Sequence, residues 1–304
     1  MKKTIILGAV ALMASTAVRA QKTTSADSLM NAMSRDTTHQ RVAIFKSSRM
    51  VLLQSTETVK KNNLNFLVIH RFGDFAGKNG GGQTYFGLDA VNDVYLGFEY
   101  GLTDNFNIDI GRSTIGGLAD LELKYAVLHQ TTNGGSPIAI TLIGEAGVRP
   151  YHTFNSLSDR MSYFAQAIFA RKFSPGLSLQ ISPSYVRNNT PIPLVAGNTQ
   201  QFFALAGTAR IKVSKRAGVI IDYAKNFSTF AKNNTDWSDP LGVGLEIETG
   251  GHVFTMNVTN SRAVNEINYL SNGQGMAYGR GQYRLGFTIS RMFDFNGHKK
   301  HDKE

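Results

Sequence analysis

Hydrophobic and polar residues alternate along most of the chain beyond residue 62. Asn105–Arg112 (NFNIDIGR) sets Phe106, Ile108 and Ile110 on one side and Asn107, Asp109 and Gly111 on the other. A period of two is the signature of a strand with two different faces. The pattern recurs with Leu121, Leu123, Tyr125 and Val127 against Asp120, Glu122, Lys124 and Ala126, and with Val243, Leu245 and Ile247 against Gly244, Glu246 and Glu248. It recurs once more with Tyr283, Leu285, Phe287 and Ile289 against Arg284, Gly286, Thr288 and Ser290. Twelve such segments are predicted, near 64–72, 92–101, 105–113, 117–130, 137–149, 159–172, 177–188, 200–213, 217–227, 240–249, 251–259 and 281–293. Those at 64–72 and 159–172 alternate poorly. No helical period competes with these strands.

The connections sort by parity. The even-numbered ones are short, around Thr103-Asp104, Asn133-Gly134-Gly135, Ser174-Pro175-Gly176, Ser214-Lys215-Arg216 and Thr249-Gly250. The odd-numbered ones are mostly long: the Gly-rich loop holding Gly80–Gly82, then Pro150–Ser158, Asn189–Thr199, Ser228–Asp239 and Asn260–Arg280, with a short exception near Thr114. A soluble sandwich has no reason to place long loops at one end and tight turns at the other, whereas an outer-membrane barrel does. Tilted strands of about 10 residues cross a bilayer, and an even number of them returns both termini to the periplasmic side. Unpaired backbone groups in lipid cost several kcal/mol each, so the sheet must close. The predicted fold is all-β, a transmembrane antiparallel up-and-down β-barrel of about twelve strands. Its apolar positions face lipid and its polar positions face the lumen. Tyr100, Phe106, Phe169, Tyr185, Tyr223, Tyr283 and Phe293 fall near strand ends, where interfacial girdles form. Arg291 shares the lipid-facing parity, but its place near a strand end lets it snorkel.

The ends of the chain add localisation. Lys2 and Lys3 precede a short apolar stretch, Ile5–Ala17, and Val18-Arg19-Ala20 offers a cleavage site, so residues 1–20 read as a secretory signal peptide. Residues 21–62 read as an N-terminal periplasmic segment or plug, 63–295 as the barrel in the cell outer membrane, and 296–304 as a polar tail. The 304 residues include no cysteine, which excludes a disulfide framework and thiolate metal sites. The net charge of +10 falls by three when Lys2, Lys3 and Arg19 are removed. The remaining cations are spread over many elements. They suit membrane lipid and lipopolysaccharide headgroups, and no nucleic-acid stripe is expected.

Several phrases carry a family resemblance: Phe45-Lys46-Ser47-Ser48-Arg49, the run Gln54–Lys61, His70-Arg71-Phe72-Gly73 and Phe86-Gly87-Leu88-Asp89. Leu96–Asp104, Ile110-Gly111-Arg112-Ser113, Glu248–Phe254, Thr259-Asn260-Ser261 and Ile289-Ser290-Arg291 continue it. Over residues 45–293 the chain resembles an uncharacterised outer-membrane β-barrel family of the Bacteroidetes, catalogued as a domain of unknown function. The resemblance implies a barrel and carries no assigned activity. Barrels of this kind often end on an aromatic residue, the mark for the barrel-assembly machinery. Here Phe293 and Phe295 are followed by a polar tail to Glu304. Asp27-Ser28-Leu29 and Asp36-Thr37-Thr38 resemble the acidic-hydroxyl O-glycosylation sites of Bacteroidetes secreted proteins.

Chemical motifs are sparse. There is no phosphate loop and no HExxH, and the seven histidines make no ligand spacing, so no cofactor or metal is expected. A barrel-wall hydrolase would need His252 beside Ser290 or Ser261. The charges of lumen-side parity are the better signal: Glu99, Asp109, Glu122, Lys124, Arg210, Lys212, Asp222, Glu246, Glu248 and Arg284. In a wet lumen they would set ion preference. Paired with one another they would seal a narrow barrel. Arg41, Lys46, Arg49, Lys60 and Lys61 make the stretch before the first strand basic, so it could enter the lumen and meet Glu246 and Glu248. Three functions stay open: a porin-like passive channel or transporter for small polar solutes, a structural barrel with a sealed lumen that docks a protein partner through outer loops or residues 21–62, and, third, the barrel-wall hydrolase.

Overall fold

The computed structural model describes residues 40–150, 156–190, 200–249, 252–273 and 276–295. The leader 1–20, the glycosylation motifs, Gly250 and the tail with His298 and His301 lie outside the described residues. The strands are β1 (Asn63–Phe72), β2 (Val91–Thr103), β3 (Phe106–Ser113), β4 (Ala119–Leu128), β5 (Ala139–Val148) and β6 (Met161–Ser174). They continue as β7 (Leu177–Asn188), β8 (Gln201–Lys212), β9 (Ala217–Asn226), β10 (Leu241–Thr249), β11 (His252–Thr259) and β12 (Arg284–Asp294). They pair in chain order as a closed antiparallel barrel of 12 strands, and β12 returns to β1 with Asn63 opposite Asp294. Each of the twelve alternating segments is one strand.

The outward set is continuous and apolar. Leu96, Phe98, Ile110, Leu121, Leu123, Tyr125, Val243, Leu245 and Ile247 are all exposed. A surface of this kind faces lipid rather than water. The inward set is buried, and closure alone does not bury it. Something fills the interior.

Two segments do so. The first is a hairpin formed by residues 40–62. Met50 N donates to the Leu53 carbonyl at 2.7 Å and Ser55 N to the Ser48 carbonyl at 2.8 Å, with Arg49 bridged to Gln54 across it. Its two legs leave by the same mouth, the one where β1 begins: Val42 N meets the Gln130 carbonyl and Asn62 N the Gly101 carbonyl, each at 2.8 Å. Ile44, Phe45, Met50, Val51, Leu52 and Leu53 join Phe164, Ile168, Val186, Phe202 and Ile220 of the wall in one buried cluster. The second is the connection from β11 to β12. It does not stay outside but turns back into the barrel, where its helix Glu266–Ser271 is buried throughout. Asn265 caps that helix by accepting from Ile267 N at 2.9 Å.

These contents explain why β1 and β6 alternate poorly. Leu67 and Ile69 of β1, and Phe164, Ile168 and Ala170 of β6, point inward and are buried. An inward face that meets protein can be apolar. Small residues make the room. A Cβ on Gly242 or Gly244 of β10 would lie 2.6 Å from a methyl group of Val51. Gly244→Val should therefore overpack the hairpin tip and cost about 1–3 kcal/mol, while Val243→Leu on the lipid face should leave stability unchanged. Urea unfolding of the two refolded variants checks this. Equal stabilities would show that the hairpin tip does not rest on β10.

Candidate functional site

The hairpin is held mainly by side chains of the wall that reach its backbone. At the tip, one Asp222 carboxylate oxygen accepts from Leu52 N at 2.7 Å and Leu53 N at 3.2 Å, and the other accepts from Thr208 Oγ1. Opposite, Arg71 donates to the Val51 carbonyl at 2.7 Å and to Asn257 Oδ1. Gln180 donates to the Gln54 carbonyl and Ser178 to the Ile44 carbonyl. Donors and acceptors of this kind satisfy a non-helical, non-sheet backbone that would otherwise be buried bare. Ser48 Oγ and Asn65 Nδ2 both donate to Glu99, at 2.6 and 2.7 Å, and Gln54 donates to Glu122.

At the centre sits Arg49, only 5% exposed. Its guanidinium pairs with Glu266 at 3.1 Å, approaches Glu122 at 3.7 Å and lies 5.0 Å over the Tyr95 ring. Tyr95 in turn donates to Asp120 at 2.9 Å. Arg49 thus joins the hairpin, the wall and the inward loop. The loop has its own anchors: Asn265 donates to Glu145 at 2.8 Å, Val264 N to Asp93 at 2.9 Å, and Arg149 to Asn268 Oδ1 at 3.2 Å.

Of the charges with lumen-side parity, Glu99, Asp109, Glu122, Lys124, Arg210, Asp222, Glu246 and Arg284 are buried. Lys212 has the same parity but lies exposed at the end of β8, beyond the filled interior. Glu248 is partly exposed at the end of β10 and pairs with Lys46 at 2.9 Å. Glu246 does not receive the hairpin, because Arg210 of the neighbouring wall claims it at 2.6 Å. Arg284 pairs with Asp74 at 2.5 Å. The hairpin's main acceptors are instead Glu99, Glu122 and Asp222, with Glu266 from the loop. Asp93, Asp120, Glu145, Arg71, Arg149 and Glu266 did not figure among the candidate residues. Asp120 has the polar-face parity of β4 beside Glu122; the other signals were the same parity on strands with weaker alternation, or an apolar run (Val264 to Leu270) inside a loop.

The hydrolase geometry does not form. His252 stacks on Phe254 at 5.8 Å, while Ser290 lies on the inward face and donates to Asn65. Ser261 donates to the Ala263 carbonyl. The hairpin also leaves a gap. A cavity of about 400 Å³ opens beside it, lined by Lys46, Lys60, Asn65, Glu248, His252 and Ser290 among others.

Residues 45–293 match the membrane bound beta barrel domain DUF5777. The chain belongs to this family. The span of the DUF5777 match takes in most of the hairpin as well as the twelve strands. Among solved structures, an outer membrane channel from Pseudomonas putida F1 superposes with a TM-score of 0.48 at 11% identity, over 78% of this chain and 98% of that one. The NanC porin gives 0.47 at 10% identity over 75% and 98%, and the KdgM porin 0.43 at 9% over 77% and 99%. The likeness is one of barrel fold. No curated relative matches the chain.

Replacing Arg49 by Ala leaves Glu122 and Glu266 buried without their cation, which should cost about 3–5 kcal/mol. Asp109 is the converse case: no donor meets either of its oxygens. Asp109→Asn should raise stability, by up to about 1 kcal/mol. Denaturant titrations followed by circular dichroism measure both. A loss below about 1 kcal/mol for Arg49→Ala, as at an exposed ion pair, would remove Arg49 from the centre of the structure.

Proposed function

We propose that this protein is a gated channel of the outer membrane, closed at rest by the hairpin 40–62 and the inward loop after β11, with the mouth where β1 begins facing the periplasm. One observation carries the reading. Both legs of the hairpin leave through that same mouth, so the hairpin withdraws without threading through the barrel. Its backbone is held largely by side-chain hydrogen bonds, which water can replace at little net cost each.

Withdrawal is still uphill. Ile44, Phe45, Met50, Val51, Leu52 and Leu53 would leave a buried cluster, at about 1.5–3 kcal/mol for each large side chain. The closed state therefore dominates, and opening needs a drive: a ligand, a voltage or a partner acting on residues 21–62. Opening would bare polar groups on β2 to β5, which suit small polar solutes, beside the apolar residues Phe164, Ile168, Val186, Phe202 and Ile220. The porin and channel likenesses of the fold are consistent with this reading.

The test is single-channel recording. The refolded wild-type chain should insert and stay silent, and Arg49→Ala should give discrete openings. A disulfide between Val51→Cys and Gly244→Cys, in a chain with no cysteine of its own, should abolish those openings until a reductant is added. An inserted Arg49→Ala barrel that stays silent at every voltage would favour a permanently sealed, partner-docking barrel. Openings that persist with the disulfide formed would place the path elsewhere.

A further inference from the structure

Four carboxylates stand in register on four consecutive strands. Glu99 of β2 is directly opposite Asp109 of β3, Asp109 opposite Glu122 of β4, and Glu122 opposite Glu145 of β5. All four point inward and are buried. Directly paired cross-strand positions lie about 5 Å apart, and like charges there repel. Such a row is destabilising unless something cationic sits against it.

At rest something does. The guanidinium of Arg49 lies against Glu122, and the Lys124 ammonium lies on the same face of β4. The cover is incomplete. Asp109, 6% exposed, meets no donor with either oxygen, and Asn107, fully buried two residues along the same face, has both head-group atoms without a partner. Among the described residues no three acidic or histidine side chains converge as a chelate. The geometry is a row and not a cage, which suits cations in passage better than a resident metal. Elsewhere on the wall Arg210 and Arg284 are each neutralised by a carboxylate beside them, and Arg71 donates to the Val51 carbonyl and Asn257.

We infer that the row Glu99–Asp109–Glu122–Glu145 is a cation-selecting wall, occupied at rest by the tethered guanidinium of Arg49 and exposed to small hydrated cations when the hairpin leaves. This rests on the gated-channel reading above. Arg49 acts there as a built-in surrogate for the permeating ion.

The experiment records the reversal potential of the refolded Arg49→Ala chain under a potassium chloride gradient, beside the same chain carrying Asp109→Asn and Glu122→Gln. The expected result is a preference for potassium over chloride of at least about threefold, lost in the neutralised chain. Asp109→Asn removes no donor from the row, and Glu122→Gln keeps an oxygen that accepts from Gln54, which limits the risk of a simple failure to fold. Openings without selectivity, or with selectivity that survives neutralisation, overturn the inference and leave the gate standing. Complete silence overturns the gate, and a second readout then decides the row. The thermal midpoint of Arg49→Ala should be higher in potassium chloride than in N-methylglucamine chloride at equal ionic strength, and the neutralised chain should show no difference. Equal midpoints in Arg49→Ala would overturn cation occupancy as well.

Discussion

A guanidinium inside a barrel must be met by carboxylates, or by other hydrogen-bond acceptors, or it cannot stay there. Taking such an ion out of water costs several kcal/mol even after relaxation. Arg49 offsets that cost through Glu266, Glu122 and the face of Tyr95. Its partners come from separate parts of the chain, so the hairpin, the wall and the inward loop are mutually dependent. Moving the hairpin leaves Glu122 of the wall and Glu266 of the loop without this cation. This single ion makes the contents of the barrel one unit, although their covalent connections lie in different parts of the sequence.

The wall and its contents were not equally visible in the sequence. Strands β3, β4, β10 and β12 announce themselves because lipid imposes the same demand on every outward position, and that demand is local. Glu122 reads alike whether it faces water, another side chain or a folded hairpin, so parity found the inward charges without saying what they touch. The contents did leave traces. β1 and β6 lose their alternation where Leu67, Ile69, Phe164 and Ile168 meet protein inside the barrel. Val51-Leu52-Leu53 is an apolar run in an otherwise polar leader, and Val264 to Leu270 is another inside a loop. Each trace is explained only by a partner far away in sequence: Asp222 for the hairpin tip, Glu145 and Asp93 for the loop. No local pattern encodes such a pairing. Glu246 shows the same limit from the other side. It is buried, and its partner is Arg210 on the adjoining wall and not the hairpin.

The distribution of charge separates two kinds of filled barrel. If closure were the only requirement, apolar side chains would meet it at lower desolvation cost, since well-packed hydrophobic replacements of buried ion pairs are often neutral or stabilising. In this barrel the two halves of the wall differ. On β8 and β12 the inward cations are satisfied from neighbouring wall or loop carboxylates, as in Arg210–Glu246 and Arg284–Asp74. On β2 to β5 the carboxylates depend on groups brought by the hairpin and the loop: Ser48, Arg49, Gln54 and Asn265. The ion pairs of the first group are complete without the hairpin, although Asp222 and Arg71 also bind its backbone, whereas the carboxylates of the second lose partners when the contents move. Carboxylates that repel one another until something cationic returns are, on the proposal above, what exchange between a tethered group and a diffusing one requires. On the gated-channel proposal, the apolar cluster around Phe164 and Ile168 favours the filled state, and the polar half is what would let the wall support another.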